Sequence, residues 1–222
     1  MQKVYRNYND LINVLDKTRI EEIKNSLFMK DFDSWVVQEK IRGKDLAILV
    51  DPKKDKKSYS IQFALDSGYN FMPIDEFDKN FFASDFVKEV IIPATHKLYE
   101  SSPSLQEDGF VVHGVIDDNY QKNSAIDGLD FFAFDIWHIG IQLFLFHPIA
   151  QFILLNAGFK ISNTLFEGSL DECLSYPNCY PTTIKEFSPA GVMCAGNIIR
   201  PTGGDYYLDD GFRVLLKNKL TK

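Results

Sequence analysis

Apolar residues recur at Leu11, Ile12, Val14, Leu15, Ile20, Ile23, Leu27 and Phe28, a spacing that predicts two short amphipathic helices lying on a sheet. From Trp35 the pattern turns strand-like. Trp35 to Ile41, a tight turn at Arg42-Gly43-Lys44, Leu46 to Val50, and then Tyr59, Ile61 and Phe63 two apart predict a short antiparallel meander. Ser84 to Leu98 reads as helix in its first half, with Pro93 expected to bend or end it. Phe110 to Ile116 and Phe131 to Trp137 are aromatic and β-branched runs of buried-strand length. Pro148 at a first helical position and Gly158 just past an end bracket a helix over 147–157. Ser169-Leu-Asp-Glu172 is a capping-box pattern that opens another helix through Leu174. Beyond Pro181, Val192 to Ile199 and Phe212 to Leu216 predict strands joined by the turn-rich Pro201-Thr-Gly-Gly-Asp205. No repeat or Pro/Gly/Ser-rich linker divides the chain, so one domain over residues 1–222 is expected, of class α+β with antiparallel strands dominant.

At 222 residues, 45% hydrophobic and 25% charged, the chain is long enough to bury one good core. A membrane span needs about 20 apolar residues, and the longest candidate, Ile139 to Phe146, is cut short by His147 and Pro148. The polar N-terminus has no secretory pattern, which makes an intracellular chain the expectation. Cys173, Cys179 and Cys194 form no C-x-x-C pair, so neither a disulfide framework nor a common zinc site is encoded. Lys plus Arg number 24 against 31 Asp plus Glu, a net charge of −7 that argues against a broad phosphate-binding surface. Any nucleic-acid contact must then be local. The cluster Lys53, Lys54, Lys56 and Lys57 reads as a solvated turn between strands.

Glu39-Lys40-Ile41-Arg42-Gly43 puts a lysine at a strand end before a glycine turn, where its amine can project into a cleft. Neighbouring cations or burial lower a lysine's pKa and make it a nucleophile, and Lys217 and Lys219 offer such cations. An exposed strand-end lysine fits the same fragment. Lys217 and Lys219 share one face of a strand by its period of two, which suits a grip on phosphate but also a frayed basic terminus. Arg200, before Pro201, reads either as a phosphate contact or as a plain sheet edge. Phe134 fits either base stacking or the core. His113, His138 and His147 show no catalytic spacing and read as structural.

Taken in order, these fragments resemble the nucleotidyltransferase domain of the type-2 RNA ligase family, nearly end to end. Trp35-Val-Val-Gln-Glu-Lys40-Ile-Arg-Gly43 resembles the family's first motif, and Asp130-Phe-Phe-Ala-Phe134-Asp-Ile136 the motif whose last aromatic stacks on adenine. Phe166 to Ser175 and Tyr180 to Ile184 resemble the connecting segment. Ala195-Gly-Asn-Ile-Ile-Arg-Pro201 resembles the fourth motif and Leu216-Lys-Asn-Lys219 the fifth. The resemblance implies an α+β, ligase-type, ATP-grasp-like fold. It implies that Lys40 takes AMP from ATP as a covalent adduct, with Mg2+ or Mn2+ as cofactor. Nucleotide contacts are implied for Glu39, Ile41, Arg42, Gly43, Phe134, Ile198, Lys217 and Lys219, and phosphate or RNA contact for Arg200.

The departures fall on the chemistry. Val115 stands where the third motif ends in glutamate and Ala195 where the fourth begins with one, and neither side chain offers oxygen to a metal. Arg42 and Asp45 replace the usual His and Asn, and Asp66 aligns where a basic residue is expected before Ser67-Gly68. The metal ligands are therefore undefined, with Asp117, Asp118 and Glu39 as substitutes. The chain also ends three residues after Lys219, without the helical C-terminal domain of phage relatives, which implies a protein partner. Two readings follow: an adenylyltransferase joining RNA 3′-OH and 5′-phosphate ends with that partner, or a degenerate member retained as a nucleotide- or RNA-binding module.

Overall fold

The structure, a computed structural model, describes residues 11–30, 34–53, 58–65, 70–80, 84–117, 130–184 and 193–219. In chain order the elements are β1 (Ile12–Asn13), α1 (Lys17–Asn25), β2 (Trp35–Glu39), β3 (Gly43–Pro52), β4 (Tyr59–Leu65), β5 (Met72–Pro73) and α2 (Ile74–Asn80). There follow α3 (Ser84–Phe86), a π-helical turn (Val87–Ile91), α4 (Ile92–Ser101), α5 (Pro103–Gln106), β6 (Phe110–Asp117) and β7 (Phe131–His138). The last are β8 (Leu143–Phe144), α6 (His147–Ala157), β9 (Lys160–Ile161), β10 (Thr164–Gly168), α7 (Leu170–Ser175), β11 (Gly196–Pro201) and β12 (Leu216–Lys219). Among the described residues, no helix is long and apolar enough to cross a membrane.

These elements form two compact units, one from Arg42–Ile161 and the other containing residues 11–41 and 162–219. The chain passes between them at 41–42 and again at 161–162, so one of the units is discontinuous in sequence. That interleaving explains why no linker is visible.

The first unit is built on a sheet ordered β5-β4-β3-β6-β7-β8, with β9 parallel to β7. Leu46, Ile48 and Val50 of β3, Phe110 and Val112 of β6, and Ala133 and Ile136 of β7 meet Leu98 of α4 and Leu154 of α6 in one core. Each such side chain contributes about 1.5–3 kcal/mol when fully buried. The opposite face carries Ala47, Leu49, Val111, Trp137 and Phe144. Both faces are apolar, which is why β3 and β6 read as nearly continuous hydrophobic runs.

The second unit holds a five-stranded sheet ordered β1-β12-β11-β2-β10, antiparallel except for β1 against β12. Ile20 and Ile23 of α1, and Leu170 and Cys173 of α7, pack on Trp35, Val37, Ile199 and Leu216. The lead-in to β12 is tied down by Arg213, whose Nε donates to Asp205, and by the Tyr207 hydroxyl, which donates to the same carboxylate. Both members of the ion pair are largely buried.

Several expectations need correction. Leu11 to Leu15 is not helical: the Ile12 and Val14 N–H groups donate to Leu215 and Lys217 carbonyls, so the local helical spacing yields to strand pairing. β2 does not form a meander with β3, because it pairs with β10 and β11 in the other sheet and the chain changes units at Arg42. Pro93 neither ends nor interrupts helicity. It occupies the first turn of α4 directly after the π-helical turn, whose wider bonding accommodates a residue with no N–H to give. The last two strands begin four residues later than expected, at Gly196 and Leu216, and Phe212 stands in the turn that leads to β12.

The punctuation signals hold. α6 spans His147–Ala157 with Pro148 in its first turn and Gly158 at φ 98° closing it in the left-handed region. At α7 the Ser169 Oγ accepts from Glu172 N at 3.4 Å while Ser169 N donates to the Glu172 carboxylate at 2.8 Å. Hydrogen bonds from the Ser169 side chain and backbone hold the Glu172 carboxyl below its ordinary range. The cap is therefore intact above the usual glutamate pKa and is lost as pH falls through the depressed value. Ser169→Ala is expected to lower the thermal midpoint by about 2–4 °C, read by circular dichroism at neutral pH.

All three cysteines are free; Cys173 and Cys194 are buried and Cys179 is exposed. Burial pushes the Cys173 thiol up to about 11, so it stays protonated and unreactive at mild pH. Iodoacetamide at about pH 8, near the pKa of a free thiol, should therefore label Cys179 alone in the folded chain and all three after denaturation, as intact-mass analysis would count.

Candidate active site

The register of the second unit's sheet decides which side chains share a face. Ile199 stands opposite Leu216 and Val37, all in the core, so alternate residues point the other way. That other face carries Ile198 opposite Lys217 and Gln38, Arg200 opposite Val36, and Gly196 opposite Lys219. Lys40 continues the parity of Val36 and Gln38, and its N–H donates to Gly196 O at 2.9 Å. Lys40, Ile198, Arg200, Lys217 and Lys219, separated by up to most of the chain, thus belong to one face of one sheet. Lys40 is partly buried, and its Nζ lies 3.4 Å from its neighbour's carbonyl, Ile41 O. Arg200 is buried, so it is a built-in part of the sheet and not an exposed edge.

The backbone at Lys40 is clamped from both sides. Gly196 O takes its N–H, while Ser162 Oγ donates to Glu39 O at 2.7 Å and Gln38 Nε2 donates to Ser162 O at 3.0 Å. Ser162 carried no sequence signal, being 123 residues from Glu39. A side chain on so fixed a backbone has its starting direction set in advance.

Glu39 goes elsewhere. It alternates onto the opposite side from Lys40, is 3% exposed, and stands across from Asn197. Its carboxylate accepts from the Thr182 hydroxyl, from Thr183 N at 2.8 Å and from Thr183 Oγ1 at 2.7 Å. The side chain therefore pins the 182–183 segment. Tyr180 and Asn197 extend this fastening: the tyrosine hydroxyl donates to Asn197 Oδ1 at 2.7 Å and Asn197 Nδ2 to Pro177 O at 2.9 Å.

In the first unit Gly43 opens β3 opposite Asp117, and Asp45 stands directly opposite Val115, which in turn pairs with Phe132. A Cβ at Gly43 would sit 1.9 Å from the Ile116 carbonyl oxygen, so the motif's glycine is required by close backbone approach. Phe134 occupies a β-bulge. His113 pairs with Asp135 and Gly114 with Ala133, leaving Phe134 as the unmatched residue. The bulge shifts the parity of β7: Phe131, Ala133 and Ile136 face the helix-covered core, which places Phe134 on the face shared with Asp45 and Val115. Phe134 is the one partly exposed residue of β7. Nothing in the alternation of Phe131 to Trp137 signals that re-aiming.

Asp66, Asp118 and the lysines Lys54, Lys56 and Lys57 lie outside the described residues, while Asp117 closes β6. Among the described residues no group of three or more His, Cys, Asp or Glu is placed to hold a metal ion. Val115 and Ala195 offer no oxygen ligand, and the described residues do not by themselves make up a protein metal site.

Two largely antiparallel sheets with flanking helices match the RNA ligase nucleotidyltransferase fold. Solved structures of that fold match over nearly the whole chain. An apo mutant of Naegleria gruberi RNA ligase aligns with TM-score 0.56 at 14% identity, covering 98% of this chain and 58% of that one. A mutant of the same ligase with AMP and Mn gives 0.56 at 14%, covering 99% and 56%. An archaeal ATP-dependent RNA ligase gives 0.55 at 14%, covering 99% and 49%. The chain thus spans about half to three-fifths of the length of these ligases. No protein-family model matches the sequence, and no curated protein does.

Proposed function

We propose that this chain is an RNA-ligase-like adenylyltransferase of the type-2 kind. The observation that carries the reading is the single sheet face holding Lys40 with Lys217 and Lys219. In the first step the neutral Lys40 Nζ attacks the α-phosphorus of ATP; a P–N bond forms, the α–β bridging P–O bond breaks, and pyrophosphate leaves. Lys217 and Lys219 neutralise charge developing on the phosphate. AMP then passes to an RNA 5′-phosphate, and a 3′-OH displaces it to join the ends. A divalent ion would arrive on the nucleotide's own phosphates, and no step here is assigned to it. The net charge of −7 leaves the chain poorly suited to holding RNA unaided, so end joining requires a protein partner in the cell interior.

A second reading is favoured by Val115 and Ala195: a nucleotide- or RNA-binding module without turnover. One experiment separates them. Purified chain is incubated with α-labelled ATP and either Mg2+ or Mn2+, then run on a denaturing gel. A labelled band at the protein's mass is expected. Folded protein that binds ATP and gives no band with either ion would establish the binding module instead.

A further inference from the structure

We propose that α6 is the centre of a symmetric contact between two copies of this chain. A surface helix ordinarily buries one stripe and turns charge to water. α6 does not: His147, Ala150, Leu154 and Ala157 are buried against the first unit's core, yet Ile149 is 50%, Phe152 67% and Leu155 55% exposed. Phe146, immediately before the helix, is 51% exposed, and Leu143 of β8, on the sheet face that α6 covers, is 44% exposed. From Ile139 to Phe159 the sequence has no Asp, Glu, Lys or Arg. A helix without a charged residue, covered on one side and largely apolar on the other, is built for a second partner.

Three features identify the occupant as another copy. The first is the internal symmetry of the stripe. Ile149 and Leu155 lie three residues either side of Phe152, so a two-fold axis through Phe152 sets Phe152 against its equivalent and Ile149 against Leu155 of the partner subunit. Two α6 helices would then run antiparallel, as an isologous interface requires. The second is charge. A chain of net charge −7 repels its own copy wherever acidic surfaces meet, and a charge-free face is where two copies approach at least cost. The third is area. Half-exposed residues of this size each present on the order of 100 Å2, so these five present on the order of 500 Å2, most of the roughly 800 Å2 per partner in a stable complex. Asn156, exposed on the same helix, supplies part of a polar rim.

The test is the oligomeric state of the full chain by sedimentation velocity and light scattering, from about 1 to about 100 µM, the weak end of what such an area supports. The mass is expected to rise with concentration from 25.5 kDa towards twice that value. Phe152→Glu should hold the mass at the monomer value with an unchanged circular dichroism spectrum and thermal midpoint. Leu27→Glu, at a 77% exposed leucine of the other unit, should dimerise as the unaltered chain does. A monomer at every concentration, or a Phe152→Glu chain that dimerises normally, would overturn the proposal. Neither result bears on the labelling of Lys40, so the two readings stand or fall separately.

Discussion

Lys40→Ala is expected to give no labelled band with α-labelled ATP and either Mg2+ or Mn2+, while its circular dichroism spectrum and thermal midpoint stay close to those of the unaltered chain. The side chain is only partly buried and follows the end of β2, so truncation is expected to cost little inside the sheet. The loss should be complete because the covalent bond has nowhere else to form. Lys40→Arg should fail equally: a guanidinium keeps its proton at any usable pH and offers no free lone pair. Lys217→Ala and Lys219→Ala differ in kind, leaving a band whose appearance slows by roughly 100-fold, the usual effect of removing one group that stabilises developing charge. A labelled Lys40→Ala chain would move the nucleophile elsewhere and remove the main support for the proposed function.

How far the sequence revealed this arrangement depends on whether its signals were local. The ends of α6, the Ser169 capping box, and β6 and β7 as strands follow from residues within a few positions of one another, and all appear as expected. Sheet membership is not local. The spacing of Trp35 to Ile41 and Leu46 to Val50 fits one meander as well as two separate sheets, and only long-range pairing of β2 with β10 and β11 chooses. The same holds at the site. Lys217 and Lys219 share a face by their spacing alone, but Lys40 joins that face through its bond to Gly196 O. Glu39, adjacent to Lys40 in the motif, alternates to the other side and is held by Thr182 and Thr183, more than 140 residues away. Phe134 reaches its face only because a bulge interrupts β7, and a bulge leaves the apolar count of a strand unchanged.

Gly43→Ala is expected to lower the thermal midpoint by about 6–12 °C and to reduce adenylylation with it. The size of the effect follows from two costs at one residue. Gly43 has φ +154°, in a region that side-chain-bearing residues rarely adopt, which alone costs on the order of 1–3 kcal/mol. A methyl there would also stand 1.9 Å from Ile116 O, 2.4 Å from Val115 Cγ1 and 2.7 Å from Ile116 C. Two of those three atoms are backbone in the neighbouring strand, so relief requires the start of β3 to move off β6 and give up ladder bonds. Together these amount to about 3 kcal/mol or more, at about 2–4 °C each for a chain of this length. Gly158→Ala is the matched control in the same unit. Its φ is +98°, also in the left-handed half, but an added Cβ there meets nothing within 4 Å. It should cost about 1 kcal/mol, the ordinary penalty for losing a helix-closing glycine. The difference between the two variants isolates close strand approach as the reason a glycine stands three residues after Lys40. If Gly43→Ala melts no lower than Gly158→Ala, β3 can part from β6 at little cost, and that explanation of the motif is wrong.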